Sequence, residues 1–283
     1  MNITRVTQPA RLRLVVAAVI VAIAGLVIPL SPIASARTAE AARAGDGSKP
    51  SIVLVHGAWA DSGSWDGVTQ RLQAHGYTVY ALPNPLRGLD FDPAYLADFL
   101  HTISGPIVLV GHSYGGAVIT NAATGDPQVK ALVYVDAFVP AQGQTLAQLL
   151  AAYPGSCAVP ANLNVVPFPG APIGVGDAYI KQSVFPSCMA NDLPAKEADA
   201  LAVTQRPIAT IALGQPSGVP AWQTIPSWAV VGTADHAIPP ALQLAMSNAA
   251  HAHITTINAS HLSMISHPST VADVILQAVR ATS

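Results

Sequence analysis

A serine flanked by glycines lies between a strongly apolar stretch and a helix-like stretch near the middle of the chain. Positions 111–116 read Gly-His-Ser-Tyr-Gly-Gly, directly after four apolar residues at 107–110 that predict a buried strand. A turn this sharp brings the residues two before and two after the serine so close together that only small side chains fit. It also raises the hydroxyl of Ser113 above the sheet edge, where the side chain can act as a nucleophile.

A serine nucleophile needs a base within hydrogen-bond reach and an acid that holds the base in the correct tautomer. Asp235 follows the apolar stretch 228–231, and His261 follows the strand-like stretch 253–257. Both side chains are therefore expected just past the ends of strands, as Ser113 is. Asp136 also ends a predicted strand and is the alternative acid. The predicted catalytic triad is Ser113, Asp235 and His261.

The remaining histidines fit other roles better. His56 is expected to order the loop after the first strand, and His112 to point into the structure beside the nucleophile. His236 is too close to Asp235 in sequence to be oriented by it. The histidines at 251 and 253 form a pair without a third metal ligand, so no metal is predicted. Because a Ser-His-Asp mechanism needs no organic cofactor, none is predicted either.

The negative charge that develops on an attacked carbonyl needs two backbone N–H donors, an oxyanion hole. Tyr114, directly after the nucleophile, is the first expected donor. The second should come from the His-Gly-Ala-Trp loop at positions 56–59. Ala58 is the expected donor there, and Trp59 is the alternative.

Strand-like and helix-like stretches alternate along most of the chain, which predicts an α/β fold with a mostly parallel, doubly wound sheet. Strands are predicted at 51–55, 77–82, 107–110, 129–135, 227–231 and 253–257, and helices at 64–74, 93–103, 116–123, 240–250 and 270–281.

The segment from about 140 to 225 interrupts this alternation. It is rich in proline and glycine, and only 146–152 and 195–204 are helix-like. Its position between two strands that should border the active site predicts an inserted cap or lid. The alternative is a surface excursion without a role in binding.

The N-terminal residues have the pattern of a secretory signal peptide. Three arginines precede the apolar stretch 14–30, and Ala-Ser-Ala follows at 34–36. We therefore expect cleavage after residue 36, a linker at 37–49, a folded domain at 50–283, and a secreted, periplasmic or cell-envelope location. The alternative is a retained membrane anchor.

Removing residues 1–36 takes away three arginines and no acidic residue. The formal net charge then changes from −2 to −5, since 10 basic residues remain against 15 acidic ones. An acidic protein without a basic patch is not expected to bind nucleic acid or to associate stably with an anionic membrane. The expected partner is a small-molecule substrate.

The chain has two cysteines, Cys157 and Cys188. In an oxidising compartment such a pair most simply forms a disulfide, and two free buried thiols are the alternative.

Together these motifs resemble the α/β-hydrolase superfamily, and within it the branch of plant methylesterases, hydroxynitrile lyases and their bacterial relatives. The similar blocks are 53–59, 111–116, 232–235 and 260–268, which occur in the order of that branch. The resemblance implies an α/β-hydrolase domain with a cap insertion. It also implies the same roles for Ser113, Asp235, His261, Ala58 and Tyr114 that the residue types suggest.

Two departures from the resemblance concern the reaction. Hydroxynitrile lyases of this branch have a lysine directly after the catalytic histidine and a threonine in the first loop. This chain has Leu262 and Gly57 at those positions. Both differences favour hydrolysis, so the predicted function is a serine hydrolase of carboxylic esters that forms an acyl-enzyme. The alternatives are a ligand-binding protein with slow or no turnover, and a lyase or perhydrolase with the same triad.

Overall fold

The central feature of the fold is a six-stranded, fully parallel sheet. A computed structural model describes residues 49–282, within which the strands are β1 Ser51–Val55, β2 Val79–Leu82, β3 Ile107–His112, β4 Val129–Val135, β5 Leu163–Val166, β6 Asp177–Ile180, β7 Ile208–Ala209, β8 Ser227–Gly232 and β9 His253–Ile257. The large sheet has the strand order β2-β1-β3-β4-β8-β9, and β5-β6-β7 form a separate antiparallel sheet. The predicted α/β fold is confirmed.

The helices within residues 49–282 are α1 Asp66–Ala74, α2 Asp92–Leu100, α3 Tyr114–Ala122, α4 Leu146–Ala152, α5 Phe185–Met189, α6 Ala195–Thr204, α7 Pro240–Ala249, α8 Ser263–Ser266 and α9 Pro268–Thr282. Of these, α1, α3, α7 and α9 contact strands of the parallel sheet, and α4, α5 and α6 belong to the insertion. The helix α1 packs against α9, and α2 packs against α3. The predicted helices agree with these except near their ends. For example, α2 ends at Leu100, although Ile103 remains buried.

The central strands consist almost entirely of apolar residues because both faces of the sheet are covered. Every residue of β3 and β8 is buried. Since all neighbouring pairs run parallel, their carboxyl ends meet along one edge. There His112 pairs with Val135, and Gly232 pairs with Ile257. The loops that follow β1, β3, β4, β8 and β9 therefore converge, and these loops contain the predicted site residues.

The insertion between β4 and β8 contains more regular structure than predicted. Its two predicted helices, α4 and α6, are confirmed with the predicted bounds. The three-stranded antiparallel sheet was not predicted, because strands of two to four residues are too short to show a clear alternation. Its pairing is long-range, as in the register of Asp177 with Ala209.

The predicted signal peptide, and all of the predicted linker except Lys49, lie outside the described residues. Within residues 49–282, no helix has both the length and the apolar character needed to cross a membrane.

A disulfide joins Cys157 to Cys188, as predicted. Cys188 lies in α5, and the N–H of Cys157 donates a hydrogen bond to the carbonyl of His236 at 2.8 Å. The bridge thus fastens two parts of the insertion to each other, next to the loop that contains Asp235.

Replacing both cysteines by alanine should lower the free energy of unfolding by about 3–4 kcal/mol, the chain-entropy value for a closed loop of this length. Urea denaturation of the wild type and of the double variant Cys157→Ala/Cys188→Ala measures the difference. A reducing agent is the matched control: it should destabilise the wild type and leave the double variant unchanged. Equal denaturation midpoints for oxidised and reduced wild type would contradict the prediction.

Candidate active site

Ser113 occupies the sharp turn between β3 and α3. Its backbone has φ +53° and ψ −123°, a strained conformation for a residue with a side chain. A Cβ on Gly115 would lie 2.5 Å from the carbonyl oxygen of Val55, and a Cβ on Gly57 would overlap the Cβ of Ser113. The strand, turn and helix expected from the sequence are all present, and the glycines allow the first loop to pack directly against the serine.

His261 and Asp235 form a buried pair. The Nδ1 of His261 lies 2.7 Å from Oδ2 of Asp235, and both side chains are almost completely inaccessible to solvent. Burial lowers the pKa of His261, but the adjacent carboxylate of Asp235 more than offsets this, and the net pKa is raised above 6.5. The carboxylate also fixes the tautomer, since it accepts a hydrogen bond from the N–H at Nδ1 and leaves Nε2 for proton transfer.

Asp136, the alternative acid, does not hydrogen-bond to His261. Its Oδ1 accepts from the N–H of Gly232 at 2.8 Å, and its Oδ2 accepts from both the N–H and the hydroxyl of Ser263. Burial, together with the nearby charge of Asp235, raises the pKa of Asp136. Asp136 therefore connects the loop before Asp235 to the segment after His261.

Ser113 and His261 line the same cavity. Among the described residues, no hydrogen bond joins the hydroxyl of Ser113 to the ring of His261. Such contacts are often long before a substrate binds and tighten in the complex. The arrangement is therefore compatible with proton transfer from serine to histidine.

Of the two candidate donors in the first loop, Ala58 and Trp59, only one has an unoccupied N–H within the described residues. The N–H of Trp59 donates to the carbonyl of Arg206 at 2.8 Å, so this group is occupied. No hydrogen bond of the described chain engages the N–H of Ala58. The N–H of Tyr114 is in the first turn of α3, where it has no acceptor within the helix. Ala58 and Tyr114 are thus the better placed pair of donors.

Two buried neutral histidines hold the loops around the serine. His56 accepts from the N–H of Asn84 through Nε2 at 2.9 Å, which leaves Nδ1 to donate to the carbonyl of Gly57. Burial lowers the pKa of His56 to about 4. His112 accepts from the N–H of Gly57 and donates to the carbonyl of His261 at 2.9 Å. Burial, and then the charge of His261, lowers the pKa of His112 well below 6.5.

No cluster of three or more histidine, cysteine or acidic side chains within residues 49–282 is arranged to hold a metal ion.

Two polar contacts in the site were not anticipated from the sequence. The hydroxyl of Tyr114 donates to the buried carboxylate of Asp92 at 2.8 Å. The amide of Gln243 donates to Oδ2 of Asp235 at 2.7 Å. The sequence signal for the second contact was a glutamine beside apolar residues in the helix after Asp235. This signal is weak, because a glutamine in a helix is more often exposed than buried.

The cavity that contains Ser113 and His261 is small and apolar, with a volume of about 20 Å³. That volume holds little more than one water molecule. The insertion supplies part of its wall, through side chains at 150, 158, 208 and 213. A larger groove of about 600 Å³ lies within the insertion, between β6 and α6, and contains none of the predicted catalytic residues.

Comparison with known proteins identifies similar sequences. A carbendazim hydrolyzing esterase from Nocardioides sp. (strain SG-4G) is 35% identical over 112 residues, which cover 35% of this chain and 46% of that protein. A pyrethroid hydrolase from Sphingobium wenxiniae is 35% identical over 107 residues, which cover 33% of this chain and 38% of that protein. This chain thus matches less than half the length of either relative.

Solved structures extend the similarity to the whole fold. A methylesterase from Arabidopsis superposes with a TM-score of 0.69 at 17% identity, covering 82% of this chain and 99% of that one. The predicted resemblance to plant methylesterases is confirmed at the level of the fold.

The sequence model of the alpha/beta hydrolase family matches residues 52–274, from the first strand to the last helix. This match covers well over half of the chain and includes the serine turn, Asp235 and His261. The chain belongs to the alpha/beta hydrolase family.

Proposed function

We propose that this protein hydrolyses carboxylic esters, with Ser113 as nucleophile, His261 as general base and Asp235 as the acid that orients the base. The observation that carries the proposal is the buried 2.7 Å contact between Asp235 and His261, next to a cavity that Ser113 and His261 line together. The two similar proteins named as an esterase and a hydrolase support the same class of reaction.

The reaction proceeds in two halves. Oγ of Ser113 attacks the ester carbonyl while its proton passes to Nε2 of His261, and the carbonyl oxygen becomes an oxyanion. The N–H groups of Ala58 and Tyr114 stabilise that oxyanion. The intermediate then expels the alcohol, which takes the proton from His261. Water attacks the acyl-enzyme by the same route, which releases the acid and restores Ser113.

The substrate class follows from the cavity wall. Apart from Ser113 and His261, the lining is made of apolar or aromatic residues, among them Phe138, Leu150 and Ile238. This surface favours an uncharged ester with apolar substituents, because a charged group would be desolvated there without a partner. Since the cavity is far smaller than such a substrate, the insertion acts as a lid that must move for binding.

The proposed place of action is outside the cytoplasm. The signal-like sequence at 1–36 and the disulfide between Cys157 and Cys188 support export into an oxidising compartment. Protein recovered from its native source with both cysteines reduced would count against export.

Removing the nucleophile with Ser113→Ala should lower kcat by about 10⁴-fold or more, because no other group forms the acyl-enzyme. Hydrolysis of nitrophenyl esters from acetyl to palmitoyl measures this. Ser227→Ala is the matched control, since Ser227 is also buried but starts β8, at the opposite edge of the sheet. Near-normal turnover by pure Ser113→Ala protein would refute the assignment.

Asp235→Asn should lower kcat by about 10³–10⁴-fold, because an amide no longer favours the tautomer of His261 with its proton on Nδ1. The same nitrophenyl ester assay measures the loss. Asp136→Asn is the matched control: it makes the same substitution at a buried position that does not hydrogen-bond to His261, and it should cost much less. A larger loss from Asp136→Asn than from Asp235→Asn would make Asp136 the acid.

The acid limb of the pH–rate profile should lie above pH 6.5. The imidazolium form of His261 cannot accept the serine proton, and its raised pKa keeps that form populated to a higher pH than in a free histidine. The dependence of kcat/KM on pH measures this limb. Asp235→Asn should move it to lower pH, because the carboxylate that raises the pKa is gone. A wild-type limb below pH 6.5 would contradict the prediction.

A further inference from the structure

Gln243 is buried in the first turn of α7, eight residues after Asp235. Its Nε2 donates to Oδ2 of Asp235 at 2.7 Å and to the carbonyl of Ile238 at 2.8 Å. Both partners are acceptors, so the orientation of the side-chain amide is determined by its contacts. Gln243 thus fastens the loop between Asp235 and the helix at two points.

The carboxylate of Asp235 accepts four hydrogen bonds, which divide evenly between its oxygens. Oδ1 accepts from the N–H groups of Ala237 and Ile238 at 2.7 and 2.9 Å. Oδ2 accepts from His261 and Gln243, both at 2.7 Å. The backbone donors hold Oδ1. Within the described chain, Gln243 is the only donor to Oδ2 besides His261, so it fixes the direction of that oxygen.

The other end of the Gln243 amide has no partner. Its Oε1 is buried without a hydrogen bond among the described residues. An unsatisfied buried acceptor is unfavourable, and the neighbouring Leu242 and Met246 show that apolar side chains are also buried in this part of α7. Packing alone would be better served by an apolar residue. The contact with Asp235 therefore accounts for the glutamine better than packing does.

We propose that Gln243 is a positioning residue, whose amide holds Asp235 in the orientation that presents Oδ2 to His261. This inference rests on the proposed esterase function of the site. It has two consequences. The amide restricts rotation of the carboxylate, and it shares the negative charge of Oδ2, which weakens the attraction of that oxygen for the imidazolium form of His261.

The first test is Gln243→Met, which keeps the approximate length of the side chain and removes the donor. We expect kcat to fall by roughly 10- to 100-fold, the range for losing one hydrogen bond to a charged group. KM should change little, because Gln243 does not line the cavity. The acid limb should move to higher pH. Besides Asp235, the titratable groups that face His261 are Asp136 and His112, and both are unchanged in this variant.

Ser247→Ala is the matched control, because Ser247 is a buried polar residue one turn further along α7 and is not a partner of Asp235. It should leave kcat and the acid limb unchanged. Thermal unfolding of both variants separates a structural role from positioning. A Gln243→Met protein with wild-type kcat and an unmoved acid limb would overturn the proposal.

Gln243→Glu provides a second test should the methionine variant fail to fold. A neutral carboxyl at this position can donate to Asp235, whereas an ionised one repels it. Relative to the wild type at the same pH, the activity of Gln243→Glu should therefore be highest at low pH and decline as the introduced group ionises. A ratio of variant to wild-type activity that stays constant across the pH range would contradict the proposal.

NMR titration of the His261 ring separates this inference from the proposed function, since it needs no substrate. The pKa of His261 should be higher in Gln243→Met than in the wild type, whether or not the protein hydrolyses esters. An unchanged pKa would overturn the positioning role. Absence of Ser113-dependent activity in the wild type would instead refute only the proposed function.

Discussion

The strained backbone of Ser113 is the constraint on which the rest of the site depends. A positive φ at a serine persists only where the surroundings hold it in place. Here β3 and α3 fix the two sides of the turn, and the first loop packs against it where Gly57 and Gly115 have no side chains. The same close approach packs the first loop, which contains Ala58, against the serine turn. One steric arrangement thus positions the proposed nucleophile together with its proposed oxyanion donors.

The two buried aspartates show how environment separates similar residues. Asp235 accepts four hydrogen bonds, one of them from His261. Asp136 lies at the end of the neighbouring strand and accepts its hydrogen bonds from Gly232 and Ser263. It holds together the loops that contain Asp235 and His261. Both carboxyls therefore contribute to the geometry, but only Asp235 hydrogen-bonds to the histidine.

The insertion is attached to the loop that contains Asp235, and it also closes the cavity that Ser113 lines. The disulfide joins two parts of the insertion, and the hydrogen bond from Cys157 to His236 ties it to the loop of Asp235. Its apolar side chains, such as Leu150 and Leu213, close the cavity over Ser113. A closed apolar wall excludes water from a cavity, which strengthens the electrostatic interactions inside. Under the proposed function the same wall has to open for a substrate, so the attachment of the insertion bears directly on binding.

Local patterns in the sequence determined the alternation of strands and helices, the serine turn and the order of the candidate residues. These features depend on neighbours within a few positions, as the apolar run before Ser113 and the glycines after it do. Only the tertiary structure decided which aspartate meets His261, that Arg206 occupies the N–H of Trp59, and that Gln243 supports Asp235. It also formed the short sheet of the insertion. These outcomes depend on contacts between distant segments, because burial and hydrogen bonding are settled only when the loops converge at the sheet edge.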